Sequence, residues 1–105
     1  MNKRNKTMSL IGLAMRAGKI ASGEFSTEKA VKSGRARLVV VASDASDNTK
    51  KKFYNMCAYY QVPCETAGDK ETLGHAIGKE YRASLAVLDE NLAEAILKST
   101  KDSPK

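Results

Sequence analysis

Two stretches of this 105-residue chain, LVVVA at 38–42 and SLAVL at 84–88, restrict its fold more than any other feature. LVVVA is rich in β-branched residues and shows no polar alternation. That pattern predicts a strand buried on both faces, which needs helices above and below it. SLAVL reads as a second strand. Helical patterns separate the two and flank them.

The first helix is expected over residues 3–17, with Leu10, Ile11, Ala14 and Ala17 as its inward stripe. Gly18 then stops it. Residues 19–22 are a short strand candidate. A second helix over 24–33 turns Thr27, Ala30, Val31 and Gly34 inward and Phe25, Lys29 and Lys32 outward. The third helix starts at a Ser46 or Asp47 cap and carries Phe53, Met56, Cys57 and Tyr60 as its core stripe. Val62-Pro63 ends it, and residues 64–67 form a short strand. Asp69 caps a fourth helix with Leu73, Ala76 and Ile77. Within it, Gly74 signals close packing, and Gly78 a stop. Residues 78–82, GKEYR, form a loop into SLAVL. Asp89 caps a last helix that turns Ala93, Ile96 and Leu97 inward. Helix and strand alternate throughout, which argues for a sheet with helices on both faces. Residues 1–100 are expected to form one domain and 101–105 a frayed tail.

Charge is distributed unevenly. Residues 1–52 hold 12 Lys/Arg against 4 Asp/Glu, a net of +8, whereas residues 53–105 carry a net of −2. Such asymmetry points to a polyanion-binding face, most often one for nucleic acid. The alternative is a solvated basic surface. Lys50, Lys51 and Lys52 cluster in the first turns of the third helix, where positive charge opposes the helix dipole. Helix stability therefore does not explain them. The basic and apolar opening loosely mimics an export signal, but its uncharged run is too short and lacks a cleavage pattern. No stretch is long enough to span a bilayer, and Cys57 and Cys64 fit reduced thiols of the cytoplasm.

Catalytic chemistry is hard to place. His75 is the single histidine, with no Cys or acid at metal-ligand spacing. Cys57 and Cys64 read as packed thiols. Asp89 and Glu90 follow a strand, where a carboxylate pair could serve catalysis, but a helix cap explains them equally. The glycines form neither GxGxxG nor a Walker loop. An enzyme is disfavoured, and no metal or other cofactor is expected.

With the elements placed, several ordered stretches carry a resemblance. They are LIGLAMRAGKIASG, then GEFSTEKAVKSGRARLVVVASDAS from Gly23 to Ser46, NTKKK at 48–52, VPC at 62–64 and LGHAIGKE at 73–80. Together they resemble the kink-turn-binding ribosomal-protein family (the L-seven-Ae type), and most closely its small bacterial YlxQ-like branch. The match covers nearly the whole chain. The resemblance implies a three-layer α/β/α sandwich with a mixed four-stranded sheet. It also implies a single RNA-binding domain that recognises structured RNA, kink-turns among the candidates, in association with the ribosome. In the family, the glycine and first turn of the second helix meet the bent RNA, and a lysine further along reaches phosphate. Those roles fall on Gly23, Glu24, Phe25, Ser26 and Lys29. A second contact falls on Lys79, Glu80, Tyr81 and Arg82.

Physical reasoning supports the same placement. A helix start presents unpaired N–H groups and partial positive charge to a phosphate. Lys29 and Lys32 share a face and can track one RNA backbone, and Arg35 extends the basic surface. Tyr81 beside Arg82 either stacks on an unpaired base or anchors the loop. One departure stands out. Strong kink-turn readers of the family carry Asn-Glu where this chain has Phe25-Ser26. Ser26 lacks the carboxylate that accepts from guanine edges, and Glu24 and Glu28, the acids that could substitute, do not occupy the matching position, so weak discrimination of kink-turns is expected. Phe25 is left to stack on RNA or to close the helix start. The reading is thus a non-enzymatic cytoplasmic RNA-binding protein, monomeric when free, with ribosomal RNA as one candidate ligand. The rivals are a protein-interaction adaptor of the translation machinery and a small-molecule phosphate binder.

Overall fold

The computed structural model describes residues 3–101, with side chains from residue 6 onward. In chain order the described elements are α1 (Lys3–Arg16), β1 (Ile20–Ser22), α2 (Glu24–Lys32), β2 (Leu38–Val41) and α3 (Asp47–Tyr60). Then come β3 (Cys64–Thr66), α4 (Lys70–Ala76), β4 (Ser84–Val87) and α5 (Glu90–Lys101). The strands lie side by side in the order β1-β4-β2-β3. β2 runs parallel to β3 and antiparallel to β4, and β4 runs antiparallel to β1, so the sheet is mixed.

The two central strands are β2 and β4, and all four residues of each are buried. That is the two-sided burial expected of LVVVA, and SLAVL shares it. α2 and α3 pack together against one face of the sheet, while α1 and α5 pair on the other with α4 beside α1. The result is an α/β/α sandwich. Its core joins the strands to Ile11, Val31, Phe53, Leu73 and Ile96, each fully enclosed or nearly so. Burying side chains of this size contributes about 1.5–3 kcal/mol apiece.

Three expected core positions lie elsewhere. Ala17 is exposed, because α1 ends at Arg16 and Gly18 turns the chain away. Thr7 faces inward on that helix instead, its hydroxyl 2.6 Å from that of Ser99 on α5. A buried hydroxyl requires such a partner. Gly34 lies outside α2 and is exposed; its φ of 80° places it in the reversal between α2 and β2. Tyr60 is 41% exposed. It ends α3, where Gln61 takes a left-handed conformation (φ 60°) and turns the chain off the helix. Its ring packs edge-on to Tyr59 at 4.9 Å and not into the core. α5 extends to Lys101, and the expected tail beyond it, 102–105, lies outside the described residues.

Candidate functional site

The turn from β1 into α2 is built on Gly23, whose φ of 91° and ψ of 162° disfavour any side chain. Its N–H donates to the Ser84 carbonyl at 3.0 Å, fixing the turn to the start of β4. Its carbonyl accepts from the Thr27 N–H at 2.9 Å and begins the helix. The N–H groups of Glu24, Phe25 and Ser26 therefore point out of the first turn without intrahelical acceptors. Glycine offers them no side-chain cap. The helices that follow differ. Ser46 accepts from Thr49 N–H at 3.1 Å, Asp69 from Thr72 N–H at 2.8 Å and Asp89 from Leu92 N–H at 2.9 Å. α2 thus keeps its donors and partial positive charge available to an anion.

The second expected contact, residues 79–82, is brought to the same place by sheet register. Ser22 pairs with Leu85 across the β1–β4 ladder, so the end of β1 adjoins the start of β4. Arg82 ties the segments together: its Nε donates to Ser22 Oγ at 3.2 Å and its Nη1 to the Tyr81 carbonyl at 2.7 Å. Gly74 holds the loop from below. A Cβ there would lie 2.6 Å from the Glu80 carbonyl oxygen and 2.8 Å from the Tyr81 nitrogen, so no side chain fits. The close packing expected of Gly74 is borne out. Two hydrogen bonds brace this contact, Lys79 N–H to the Gly74 carbonyl at 2.8 Å and Arg82 N–H to the Lys70 carbonyl at 3.0 Å. Tyr81 is 62% exposed, which removes its role as a loop anchor. Lys79 and Glu80 are also exposed.

Along α2, Ser26, Lys29 and Lys32 are exposed, and Phe25 is 76% exposed. At that exposure Phe25 does little to close the helix start. Arg35 is exposed beyond the far end of α2 from Gly23, so it is not part of the cluster around the first turn. Glu28 takes Lys32 on one carboxylate oxygen at 2.8 Å and Lys52 of α3 on the other at 2.9 Å. Lys52 also meets Glu24 at 2.9 Å. The bridges from Lys32 first, and from Lys52, hold the Glu28 carboxyl down to about 2. Both lysines are pushed up, chiefly by the hydrogen bond to Glu28. Lys29 pairs with no carboxylate among the described residues. It is therefore the cation on α2 most available to a phosphate.

Lys52 and Ser22 were not among the residues expected here. The cluster at 50–52, whose charge opposes the α3 dipole, was the signal for Lys52, which turns out to neutralise the two acids of α2. Nothing in the sequence marks Ser22. His75 is exposed, Cys57 and Cys64 are free thiols, and no cluster among the described residues could hold a metal ion. Nor is any described helix long and apolar enough to cross a membrane.

The chain is 43% identical over 88 residues to the RNA-binding protein YlxQ of Bacillus subtilis, covering 84% of this chain and 88% of that one. It is 31% identical over 97 residues to the large ribosomal subunit protein eL8 of Thermoplasma volcanium, covering 90% and 78%. A solved structure from Bacillus halodurans superposes with a TM-score of 0.90 at 38% identity, covering 92% of this chain and 98% of that one. The profile of the ribosomal protein L7Ae/L30e/S12e/Gadd45 family matches residues 5–97, and the chain belongs to that family.

Proposed function

We propose that this protein is a non-catalytic RNA-binding protein of the cytoplasm, monomeric when free, that recognises structured RNA in association with the ribosome. The observation that carries this reading is a convergence. The uncapped first turn of α2 and the loop 79–82, far apart in sequence, meet through Gly23–Ser84 and Arg82–Ser22. Lys29 on α2 and Lys79 and Arg82 on the loop carry positive charge on these two segments. Gly23 lets RNA approach the backbone closely, Glu24, Phe25 and Ser26 offer backbone donors and a groove, Lys29 a phosphate contact, and Tyr81 with Arg82 a stacking and phosphate contact. The relatives support this: one is named an RNA-binding protein and another a ribosomal subunit protein. Ribosomal RNA and kink-turn RNA are the first ligands to try.

Binding is expected to be led by phosphates. With about four to six neutralised, the logarithm of the binding constant should fall against the logarithm of salt with a slope of roughly −3 to −5. Titrating a labelled structured RNA at a series of salt concentrations measures this. A flat response would refute the RNA reading and favour an adaptor that docks on protein.

A further inference from the structure

A shallow groove of about 430 Å³ runs along the outer side of α2, lined by Phe25, Glu28, Lys29, Lys32 and Ser33. Its components are unusual for a solvated helix face. Phe25 is 76% exposed and does not belong to the hydrophobic side chains packed on the core. Its ring face is therefore open. Glu28 stands one turn further along the same side, since residues three apart are neighbours on a helix. Lys32 and Lys52 grip its carboxylate, one on each oxygen. Neither bridge exhausts it, because a carboxylate offers about four acceptor sites. The two lysines also fix its position and keep it ionised, so it accepts and never donates.

We infer that Phe25 and Glu28 form a subsite for one unpaired guanine, stacked on the Phe25 ring with its N1–H and N2–H donating to the Glu28 carboxylate. This rests on the RNA-binding reading above and deepens it. Guanine alone among the four bases presents two adjacent donors on one edge, the pattern a fixed carboxylate matches. Adenine, cytosine and uracil each offer a single donor there beside an acceptor, which a carboxylate repels. Stacking on an aromatic ring is the usual way an unpaired RNA base is held. Lys29, which pairs with no carboxylate among the described residues and lines the same groove, is placed for the nucleotide's phosphate. An arginine of a protein partner would also stack on Phe25 and pair with Glu28. Lys29 and Lys32 line the groove, however, and repel a cation, whereas they favour a nucleotide.

The probes are four hairpin RNAs that differ in one bulged nucleotide, G, A, C or U, titrated against the protein at one fixed salt. The guanine hairpin is expected to bind about 5- to 150-fold more tightly than the others, the range of one bidentate base contact. Glu28→Gln should erase that preference. It should also raise affinity for the other three hairpins, because Lys32 and Lys52 are released for phosphate. A purely structural role for Glu28 would lower all four together. Phe25→Leu keeps the apolar bulk and removes the π face, so it should weaken the guanine hairpin most while leaving the thermal midpoint unmoved. Equal, salt-sensitive binding of all four hairpins by the unmodified protein would overturn the guanine subsite but leave RNA binding standing. If the groove variants also changed nothing, a protein side chain would become the occupant to seek. Salt-insensitive or absent binding to every hairpin would sink the RNA reading and this inference with it.

Discussion

Gly74→Ala is the most informative single change, because it adds one methyl group between a helix and the loop that the site depends on. The added Cβ would sit 2.6 Å from the Glu80 carbonyl oxygen, 2.7 Å from its carbon and 2.8 Å from the Tyr81 nitrogen. All three are backbone atoms, so no side chain can rotate away. Ordinary contact at about 3.4 Å requires the loop to retreat by about 0.8 Å. The Arg82 N–H bond to Lys70, now 3.0 Å, would stretch toward the limit of hydrogen bonding. Overpacking costs about 1–3 kcal/mol, and a weakened hydrogen bond adds up to about 1 kcal/mol. Replacing glycine by alanine in a helix returns about 1 kcal/mol. A net loss of about 0–3 kcal/mol follows, and its centre near ~1.5 kcal/mol corresponds to roughly 6–12 °C in midpoint for a domain of this size. Gly12→Ala is the control. It gains the same helix propensity and meets a milder contact, 3.1 Å to the Ala76 carbonyl oxygen. Denaturant melts of both variants, with amide chemical shifts of residues 79–82, measure the difference. Gly74→Ala should lose more stability than Gly12→Ala and shift those amides. If it were stabilised by about 1 kcal/mol, as propensity alone dictates, with the loop amides unmoved, then Gly74 does not set the loop's position.

Three other outcomes are expected. Lys29→Ala should weaken RNA binding by about 1.5–3 kcal/mol without unfolding the chain, since its ammonium pairs with no carboxylate among the described residues; Lys101→Ala, on α5 across the sheet, should change little, and equal effects in titrations would mean diffuse attraction with no defined site. Glu28 has a folded value near 2, below its ordinary 4.5, so its bridges stabilise the fold above about pH 4.5 and that contribution disappears as pH falls toward 2. The gap in urea midpoint between the unmodified protein and Glu28→Gln should close over that window, and a gap that does not change between pH 6 and about pH 2 would contradict the bridge geometry. The unmodified chain should prefer a kink-turn RNA over one with its G·A pairs replaced by no more than about 1–3 kcal/mol, and Phe25→Asn with Ser26→Glu should raise that preference; paired titrations showing thousandfold discrimination by the unmodified chain would mean that another residue reads those pairs.

What the sequence determined by itself is local or periodic in origin. LVVVA identified a buried strand, because an apolar run without alternation is stable only when buried on both sides, and SLAVL a further strand; that both lie at the centre of the sheet came from the tertiary structure. Gly18, Asp69 and Asp89 marked helix ends through their own backbone or cap chemistry. Gly74, out of place in a helix, announced a close approach. Periodicity failed at Ala17, Gly34 and Tyr60, the last position or just past the end of a helix. A repeat of 3.6 extrapolates past a terminus, but the chain turns away there. Of the candidate site, the first turn of α2 and the outward Lys29 were legible, since the glycine and the helical repeat lie within one segment. The sandwich decided the rest. β1–β4 register carries loop 79–82 to Gly23, a meeting of segments about 60 residues apart that no local pattern encodes. Packing of α2 against α3 brings Lys52 within 2.9 Å of Glu24 and Glu28. Three cations in a row therefore become one bridged lysine and two neighbours. Which charges are spent inside the protein and which remain for a phosphate depends on distances between helices, and only the tertiary structure sets those.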